Sequence, residues 1–171
     1  MLHYGLIAVA ALATAYYLGI FTGAHYVPTP DGKVLRMLKL AKVRPGERLA
    51  DLGSGDGRFL IEAARQGMHA TGFELNPLLV WWSRWRVRSA GVGTSAVVEW
   101  RDFWKTDFSG FDVVTIYGIP HIMKALERKL LKELRPGARV VCNAFPFPTW
   151  QGCKEENLYV YVQKQKNSPN P

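Results

Sequence analysis

The sequence predicts one α/β domain, with a mostly parallel sheet of about six strands and helices on both faces, preceded by an apolar helix. Three observations support this fold class. Short apolar runs alternate with longer segments of helical periodicity, which is the pattern of β-α-β units. One of these runs ends in a glycine-rich turn of the kind that joins a strand to a helix. The 171 residues, 48% of them hydrophobic, leave room for one modest domain.

An apolar segment at the start of the chain predicts a transmembrane helix over residues 1–26. Residues 5–24 carry no charge, and as a helix they would span about 30 Å, the hydrocarbon thickness of a bilayer. Tyr4 and Tyr26 flank the run, as aromatic residues do at membrane interfaces. A secretory signal is disfavoured because the run is too long and lacks a basic start. A buried soluble helix is disfavoured because so small a domain has no place for it.

Basic residues predict the orientation of this helix. They follow the apolar run, at Lys33, Arg36, Lys39, Lys42 and Arg44. By the positive-inside rule, we expect a single-pass membrane protein whose folded domain lies on the cytoplasmic side in a prokaryote. Small residues recur at every fourth position along the segment, at Ala11, Ala15, Gly19 and Gly23. Such a stripe allows self-association or packing against another membrane helix, although small residues also recur by chance in membrane helices.

The folded domain is predicted over residues 27–165, before a disordered tail at 166–171. The Val-Pro-Thr-Pro sequence at 27–30 ends the first helix, and an amphipathic helix begins near Asp31. Its apolar side should cover the sheet and consists of Val34, Met37, Leu38 and Ala41. Its basic side, formed by Lys33, Arg36 and Lys39, is either solvated or placed against anionic lipid head groups.

The first strand, at about 48–52, leads into a turn with three glycines, at positions 53, 55 and 57. Glycine allows positive φ and a close approach of a ligand to backbone amides at a helix start. A dinucleotide-binding turn would have its third glycine at position 58, where this chain has Arg58. Asp51 inside the strand end, followed by G-x-G-x-G, instead resembles the S-adenosylmethionine (SAM) methyltransferases with a Rossmann-like sheet.

Two further acids follow the next two strands, predicted at about 69–73 and 96–100. Glu74 is placed to accept hydrogen bonds from both ribose hydroxyls of the cofactor, and Asp102 from the adenine amino group, with Phe103 on the ring. Each acid alone would better fit a solvated loop, but three acids at successive strand ends favour a SAM site. The predicted cofactor contacts are Asp51, Gly53, Ser54, Gly55, Asp56, Glu74, Leu75, Asn76, Asp102, Phe103 and Tyr117.

A helix that begins at Asn76 and Pro77 carries tryptophans interleaved with arginines. Interleaving of this kind can indicate stacking on nucleic-acid bases. Because Trp81 and Trp85 are one helical turn apart, we expect them to pack on the sheet, with the arginines solvated or against lipid.

The fourth strand, at about 111–117, ends at Tyr117, which should face the methyl donor together with Pro120. Methyltransferases of base amino groups often carry Asn/Asp-Pro-Pro-aromatic here, and its absence argues against a nucleic-acid acceptor. A helix at about 121–134 and a fifth strand at 138–144 follow. Residues 145–150 (Phe-Pro-Phe-Pro-Thr-Trp) predict a stiff aromatic rim, and a last strand is expected at about 157–163.

The cysteine and charge content limits the possible metal sites, compartments and partners of the protein. Cys142 lies in an apolar strand and Cys153 in a polar tail, which gives no metal-ligand spacing, so we predict no metal and a reducing compartment. The net charge of +8 calls for an anionic neighbour, either lipid head groups or nucleic acid.

The chain resembles the membrane-anchored protein-lysine methyltransferases of mitochondria that modify the ADP/ATP carrier and the ATP synthase c-subunit, together with their prokaryotic relatives. The similar stretches lie at residues 27–29, 51–58, 72–77, 102–105 and 145–150, and the last is the most specific. The resemblance implies a SAM-dependent lysine N-methyltransferase acting on a membrane protein. It also implies cofactor contacts at Asp51, Gly53, Gly55, Glu74 and Asp102.

On this interpretation Tyr117, Pro120, Phe147 and Trp150 form the substrate site. Aromatic faces could hold a lysine chain and tolerate its positive charge, although each ring could equally serve in packing. The sequence identifies no catalytic base. Two alternatives remain, namely methylation of a lipid-soluble small molecule such as a quinone or lipid amine, and a non-catalytic membrane-tethered SAM-binding module.

Overall fold

A computed structural model describes residues 27–164, together with Gly5, Ile7 and Ala10. Within that part of the chain, no helix is long and apolar enough to cross a membrane. The predicted membrane helix at 1–26 lies almost entirely outside the described residues, as do its whole small-residue stripe and the tail at 166–171.

The described domain is built on one seven-stranded sheet with the strand order β3-β2-β1-β4-β5-β7-β6. The strands are β1 Arg48–Leu52, β2 His69–Glu74, β3 Ala96–Trp100, β4 Val113–Tyr117, β5 Arg139–Asn143, β6 Cys153–Glu155 and β7 Leu158–Val162. The first five are parallel, whereas β7 runs antiparallel to β5 and β6 antiparallel to β7. The α/β fold with a mostly parallel sheet is therefore confirmed.

Four described helices and one short turn connect the strands. They are α1 Asp31–Leu40, α2 Arg58–Arg65, α3 Pro77–Ser89 and α4 Pro120–Glu133, with a 3-10 turn at Phe103–Lys105. One buried apolar cluster joins α1, α2 and α3 to one face of the sheet, and a second joins α4 to the other face. Neighbouring β1 residues divide between the two, since Leu49 belongs to the first and Ala50 to the second.

The predicted apolar side of α1 is confirmed, because Val34, Met37, Leu38 and Ala41 are all buried. On its basic side, Arg36 forms ion pairs with Glu155 (2.6 Å) and Glu156 (2.8 Å) of the β6–β7 hairpin. This hairpin therefore holds α1 against the domain as well as extending the sheet.

Two expectations were wrong. The sheet has seven strands rather than six, because the three residues of β6 are all exposed and leave no apolar signal. Cys153 accordingly lies in an edge strand rather than in a polar tail. Trp81 and Trp85 do not pack on the sheet, since they are 67% and 51% exposed and α3 buries its opposite side, formed by Val80, Ser83 and Val87.

Candidate active site

The candidate site lies where the strand order of the sheet reverses. β1 pairs with β2 on one side and β4 on the other, so the loops after these strands diverge at their carboxyl ends. Ligands of open α/β sheets bind in the crevice formed at such a point. The predicted cofactor residues lie at or after the ends of β1, β2 and β3, with Tyr117 at the end of β4, and the predicted substrate residues lie at or after the ends of β4 and β5.

The glycine turn after β1 adopts a backbone that only glycine accepts easily. Gly53, Gly55 and Gly57 have φ of +77°, +53° and +79°. A Cβ on Gly57 would lie 2.2 Å from the Oγ of Ser83, so α3 approaches the turn too closely for a side chain. By contrast, the space beside Gly53 is open. The turn is therefore closed towards the core and open towards the crevice.

The Glu74 carboxylate holds the end of β2 against this turn. It accepts hydrogen bonds from the amides of Gly55 (2.9 Å), Leu75 (2.8 Å) and Asn76 (2.8 Å). Asn76 in turn caps α3 by accepting from the Leu78 amide (3.0 Å). A carboxylate can accept about four hydrogen bonds. Glu74 can thus shape the loop and still offer one lone pair to a ligand hydroxyl.

Asp56 lies in the same turn, but its carboxylate is engaged by two arginines. Arg58 donates to both of its oxygens (2.9 and 2.8 Å), and Arg86 forms a further ion pair. Burial acts to raise the pKa of Asp56, but the Arg58 hydrogen bond and the two positive charges outweigh it and lower the pKa. Arg58 also donates to the Thr29 carbonyl (2.7 Å). Asp56 therefore joins the turn to α3 and to the segment before α1.

Asp51 is buried at the end of β1, and the Thr115 hydroxyl donates to its Oδ1 over 2.8 Å. Burial raises the pKa of this carboxyl to about 7, against a lowering effect of the Thr115 hydrogen bond. The charges of Glu74 and Asp56 add to the rise. A cationic ligand above Asp51 would stabilise its ionised form.

The third predicted acid follows β3. The Asp102 carboxylate accepts from the Trp104 amide (3.0 Å) and caps the 3-10 turn. Phe103 is half-buried against the second core cluster. Both residues follow β3 at the carboxyl edge of the sheet, next to the end of β2.

At the other half of the edge, Tyr117 ends β4 with 40% of its surface exposed, and Pro120 is exposed at the start of α4. Tyr117 lies opposite Asn143 of β5 in the sheet register. Asn143 is buried, and its Oδ1 is 3.4 Å from the Nζ of Lys33. The α1 helix therefore reaches the end of β5 through Lys33.

Three aromatic rings pack together beside β5. The ring of Phe147 lies 5.6 Å from that of Trp150 and 4.9 Å from that of Tyr161. The Phe147 amide donates to the Tyr161 hydroxyl (2.9 Å), and burial raises the pKa of Tyr161 to about 12. Phe147 is only 4% exposed and Trp150 is half-buried. Residues 145–150 thus form a wall fixed to the core, from which Trp150 presents more surface than Phe147.

A buried carboxylate that the sequence interpretation missed holds this wall in place. Glu127 of α4 is 2% exposed, and its Oε1 accepts from the Thr149 amide and hydroxyl (2.9 Å each) and from the Trp150 amide. One sequence signal was available, since Glu127 lies on the same apolar stripe as Met123, Leu126 and Leu130. Tyr161 and Asn143, which were also missed, carried no comparable signal.

The residues at the crevice fit SAM. The cofactor is cationic at its sulfonium and amino groups, and the buried Asp51 carboxyl has the complementary charge when ionised. The open side of Gly53 admits a ligand close to the backbone. Among the described residues, the Ser54 hydroxyl is buried beside the turn and has no hydrogen-bond partner.

Comparisons with known proteins agree with this geometry. The profile of the family described as the ANTKMT methyltransferase domain matches residues 51–154. The Homo sapiens lysine N-methyltransferase of the ATP synthase c-subunit is 43% identical over 147 residues, which are 85% of this chain and 63% of that protein. A protein-lysine N-methyltransferase of Saccharolobus islandicus is 35% identical, over 80% of this chain and 92% of its own.

Among solved structures, an RNA methyltransferase of Salinibacter ruber in complex with S-adenosyl-L-homocysteine superposes with a TM-score of 0.78. It is 34% identical, over 84% of this chain and 98% of its own. This chain spans between half and just under two-thirds of the vertebrate c-subunit methyltransferases that it matches. From its profile match and its fold, the chain belongs to the ANTKMT methyltransferase domain family.

Proposed function

We propose that the protein is a SAM-dependent protein-lysine N-methyltransferase. The proposal rests on one observation: a cofactor half and an acceptor half lie side by side at the carboxyl edge of the sheet. The glycine turn and Glu74 form one half, and the aromatic wall of residues 145–150 forms the other, within the region that matches the family. The naming of the human and Saccharolobus relatives as lysine N-methyltransferases supports the choice of acceptor.

SAM, when bound, supplies an electrophilic methyl group at its sulfonium. On this chain, Gly53 leaves room for the cofactor beside the predicted contact Gly55, Glu74 and Asp102 offer carboxylate oxygens, and ionised Asp51 offers a negative charge. The remaining predicted cofactor contacts are Ser54, Asp56, Leu75, Asn76, Phe103 and Tyr117.

Tyr117, Pro120 and Trp150 form the proposed acceptor side, with Phe147 fixing Trp150 from behind. An acceptor lysine must lose its proton before it can attack, because its ordinary pKa is near 10.4. Desolvation between aromatic faces and next to a cationic cofactor lowers that pKa. Glu127 lies behind the wall with Oε1 accepting three hydrogen bonds, so its role is to position the wall.

We further propose that the acceptor is a membrane-embedded protein and that residues 1–26 anchor the enzyme, with its domain on the cytoplasmic side. The uncharged run at 5–24 and the basic residues after it support this topology. Contact with membrane lipids and self-association through Ala11, Ala15, Gly19 and Gly23 belong to the same proposal.

The first test uses full-length protein, methyl-labelled SAM and detergent-treated membranes of the source cells, with protein, lipid and RNA fractions counted separately. We expect label in a protein band at lysine, lost with Glu74→Ala. Label only in the lipid extract would establish a small-molecule methyltransferase. Label only in RNA would assign the activity named for the Salinibacter relative. SAM binding without any label would favour the non-catalytic module.

A native thiol tests the topology. Cys153 is exposed and Cys142 is buried, so an impermeant maleimide should label Cys153 alone in the folded protein. We expect labelling in inverted vesicles and none in intact cells, with Cys153→Ser as the control. Labelling in intact cells would place the domain outside. Self-association is tested by crosslinking a Gly19→Leu/Gly23→Leu variant. Unchanged crosslinking would show that the small-residue stripe does not mediate self-association.

A further inference from the structure

An exposed apolar surface borders the cofactor edge and has no role in the proposed reaction. We define the tryptophan face as the exposed side chains of α3 and β3 on the α3 side of the sheet, namely Leu78, Trp81, Trp82, Trp85 and Trp100. It contains four of the chain's six tryptophans, and Trp104 follows in the 3-10 turn after β3. A contiguous exposed patch of large apolar side chains indicates an interaction site.

The tryptophan face is an ordered surface. Its four α3 residues are spaced three and four positions apart, so they share the side of the helix that points away from the sheet. The rings of Trp82 and Trp85 stack with centroids 5.0 Å apart. The Trp100 indole donates to the Leu75 carbonyl (3.0 Å), which fixes β3 to the start of α3.

Arginine binds the helix to the free edge of the sheet. Arg84 donates through Nε and Nη2 to the Val98 carbonyl, both over 3.0 Å. Since β3 is an edge strand, this carbonyl side would otherwise be open to another chain. The face is therefore closed to strand addition and presents side chains instead.

Basic residues accompany the tryptophan face in sequence. α3 contains Arg84, Arg86 and Arg88 and no acidic residue. Arg86 is neutralised by Asp56 and Arg101 is paired with Glu99 (3.2 Å), but Arg88 and Lys105 are exposed at the border. The occupant should therefore be apolar where the rings lie and anionic around them.

We propose that the tryptophan face docks onto an anionic lipid bilayer. Indole rings and aliphatic side chains favour the boundary between head groups and acyl chains, and cations beside them favour lipid phosphates. Single-stranded RNA fits less well, because Trp82 and Trp85 cover each other's faces and Leu78 offers no stacking surface. Because a bilayer surface deforms, it can accommodate both the outward side of α3 and the edge strand β3.

This inference goes beyond the proposed function. Leu75 directly follows Glu74, so docking would bring the cofactor edge of the sheet close to the membrane surface. It rests on described residues alone and does not depend on whether residues 1–26 span the bilayer. It is equally independent of the acceptor that the enzyme methylates.

Intrinsic fluorescence tests the proposal in the full-length protein, because residues 1–26 contain no tryptophan. The protein is reconstituted in vesicles of phosphatidylcholine and phosphatidylglycerol, with or without phosphatidylcholine brominated near the head group. We expect brominated lipid to quench about half of the emission or more, because indoles at the interface lie next to the bromine atoms. Acrylamide quenching should fall relative to detergent solution.

Replacing phosphatidylglycerol by phosphatidylcholine, or adding salt, should reduce the quenching several-fold. Trp81→Ser/Trp85→Ser should lower quenching of the remaining tryptophans, whereas Val162→Ser, at an exposed apolar residue of β7, should not. Emission unaffected by brominated lipid and fully open to acrylamide would overturn the proposal. Protection by single-stranded RNA alone would replace it with an RNA surface, and equal quenching in neutral vesicles would refute the anionic preference.

Discussion

The cofactor half and the acceptor half of the sheet edge are stabilised in different ways. In the cofactor half, one carboxylate accepts from amides that lie within 19 positions of it, and two of the three are its next neighbours in sequence. In the acceptor half, Glu127 reaches Thr149 and Trp150 from another element, and Tyr161 reaches Phe147 from the strand beyond. In the cofactor half, the Glu74 carboxylate thus belongs to the loops that it holds, whereas residues 145–150 are held by side chains of a helix and a strand that lie outside this segment.

The largest effect should come from the carboxylate that holds the acceptor wall. Glu127→Ala leaves three donors without their acceptor in a buried site, and we expect unfolding free energy to fall by about 4 kcal/mol. Glu127→Gln keeps an oxygen at the same place and should cost about 1 kcal/mol. Chemical denaturation of both variants measures this difference. Equal losses would show that negative charge, and not the acceptor oxygen, holds the wall.

The closed side of the glycine turn should give the next largest effect. Gly57→Ala combines positive φ with a clash against Ser83, which together should cost about 3 kcal/mol. Gly137→Ala is the matched control, because its φ is also strongly positive (+84°) but its Cβ would meet open space. We expect about 1 kcal/mol there. Thermal unfolding without cofactor measures both losses of stability. Equal losses in the two variants would contradict this account.

A substitution of Glu74 tests the cofactor half of the sheet edge without altering the acceptor wall. Glu74→Gln removes the charge that holds three amides, and we expect affinity for S-adenosylhomocysteine to fall at least about tenfold, measured by calorimetric titration. Glu99→Gln, on the neighbouring strand, should leave affinity unchanged because its carboxylate pairs with Arg101 at the surface. Unaltered binding in Glu74→Gln would remove Glu74 from the cofactor site.

The last prediction concerns the pH dependence of stability that the ionisation of Asp51 causes, and its effect within any one pH unit is the smallest of the four. Its pKa is raised from 3.8 to about 7 in the folded chain, so between these values the folded protein keeps a proton that the unfolded chain has lost. Stability without cofactor should therefore fall as pH rises from about 4 to 7, by about 1 kcal/mol per pH unit, and then level off. Asp51→Asn should lack this slope. Parallel pH profiles of wild type and variant would show that Asp51 does not titrate there.

Much of the cofactor half was predicted from sequence, and the acceptor half less fully. The positive-φ glycine turn, the first five strands and the placement of Asp51, Glu74 and Asp102 at successive strand ends agree with the structure. Their contacts with SAM remain a prediction. The ion pair of Asp56 was not predicted, because its partner Arg86 lies 30 positions away on α3. Phe147 was expected at a rim but is buried under Trp150 and Tyr161.

The order of most strands and helices along the chain and the glycine turn could be predicted from the sequence, because they depend on local backbone preference and on the period of apolar residues. Contacts across the fold were needed to show which side of α3 is buried, which carboxylate holds residues 145–150, and that a three-residue exposed strand completes the sheet. These outcomes depend on which distant segments meet. A tryptophan or a glutamate has no fixed preference for core or surface until its neighbours across the fold are in place.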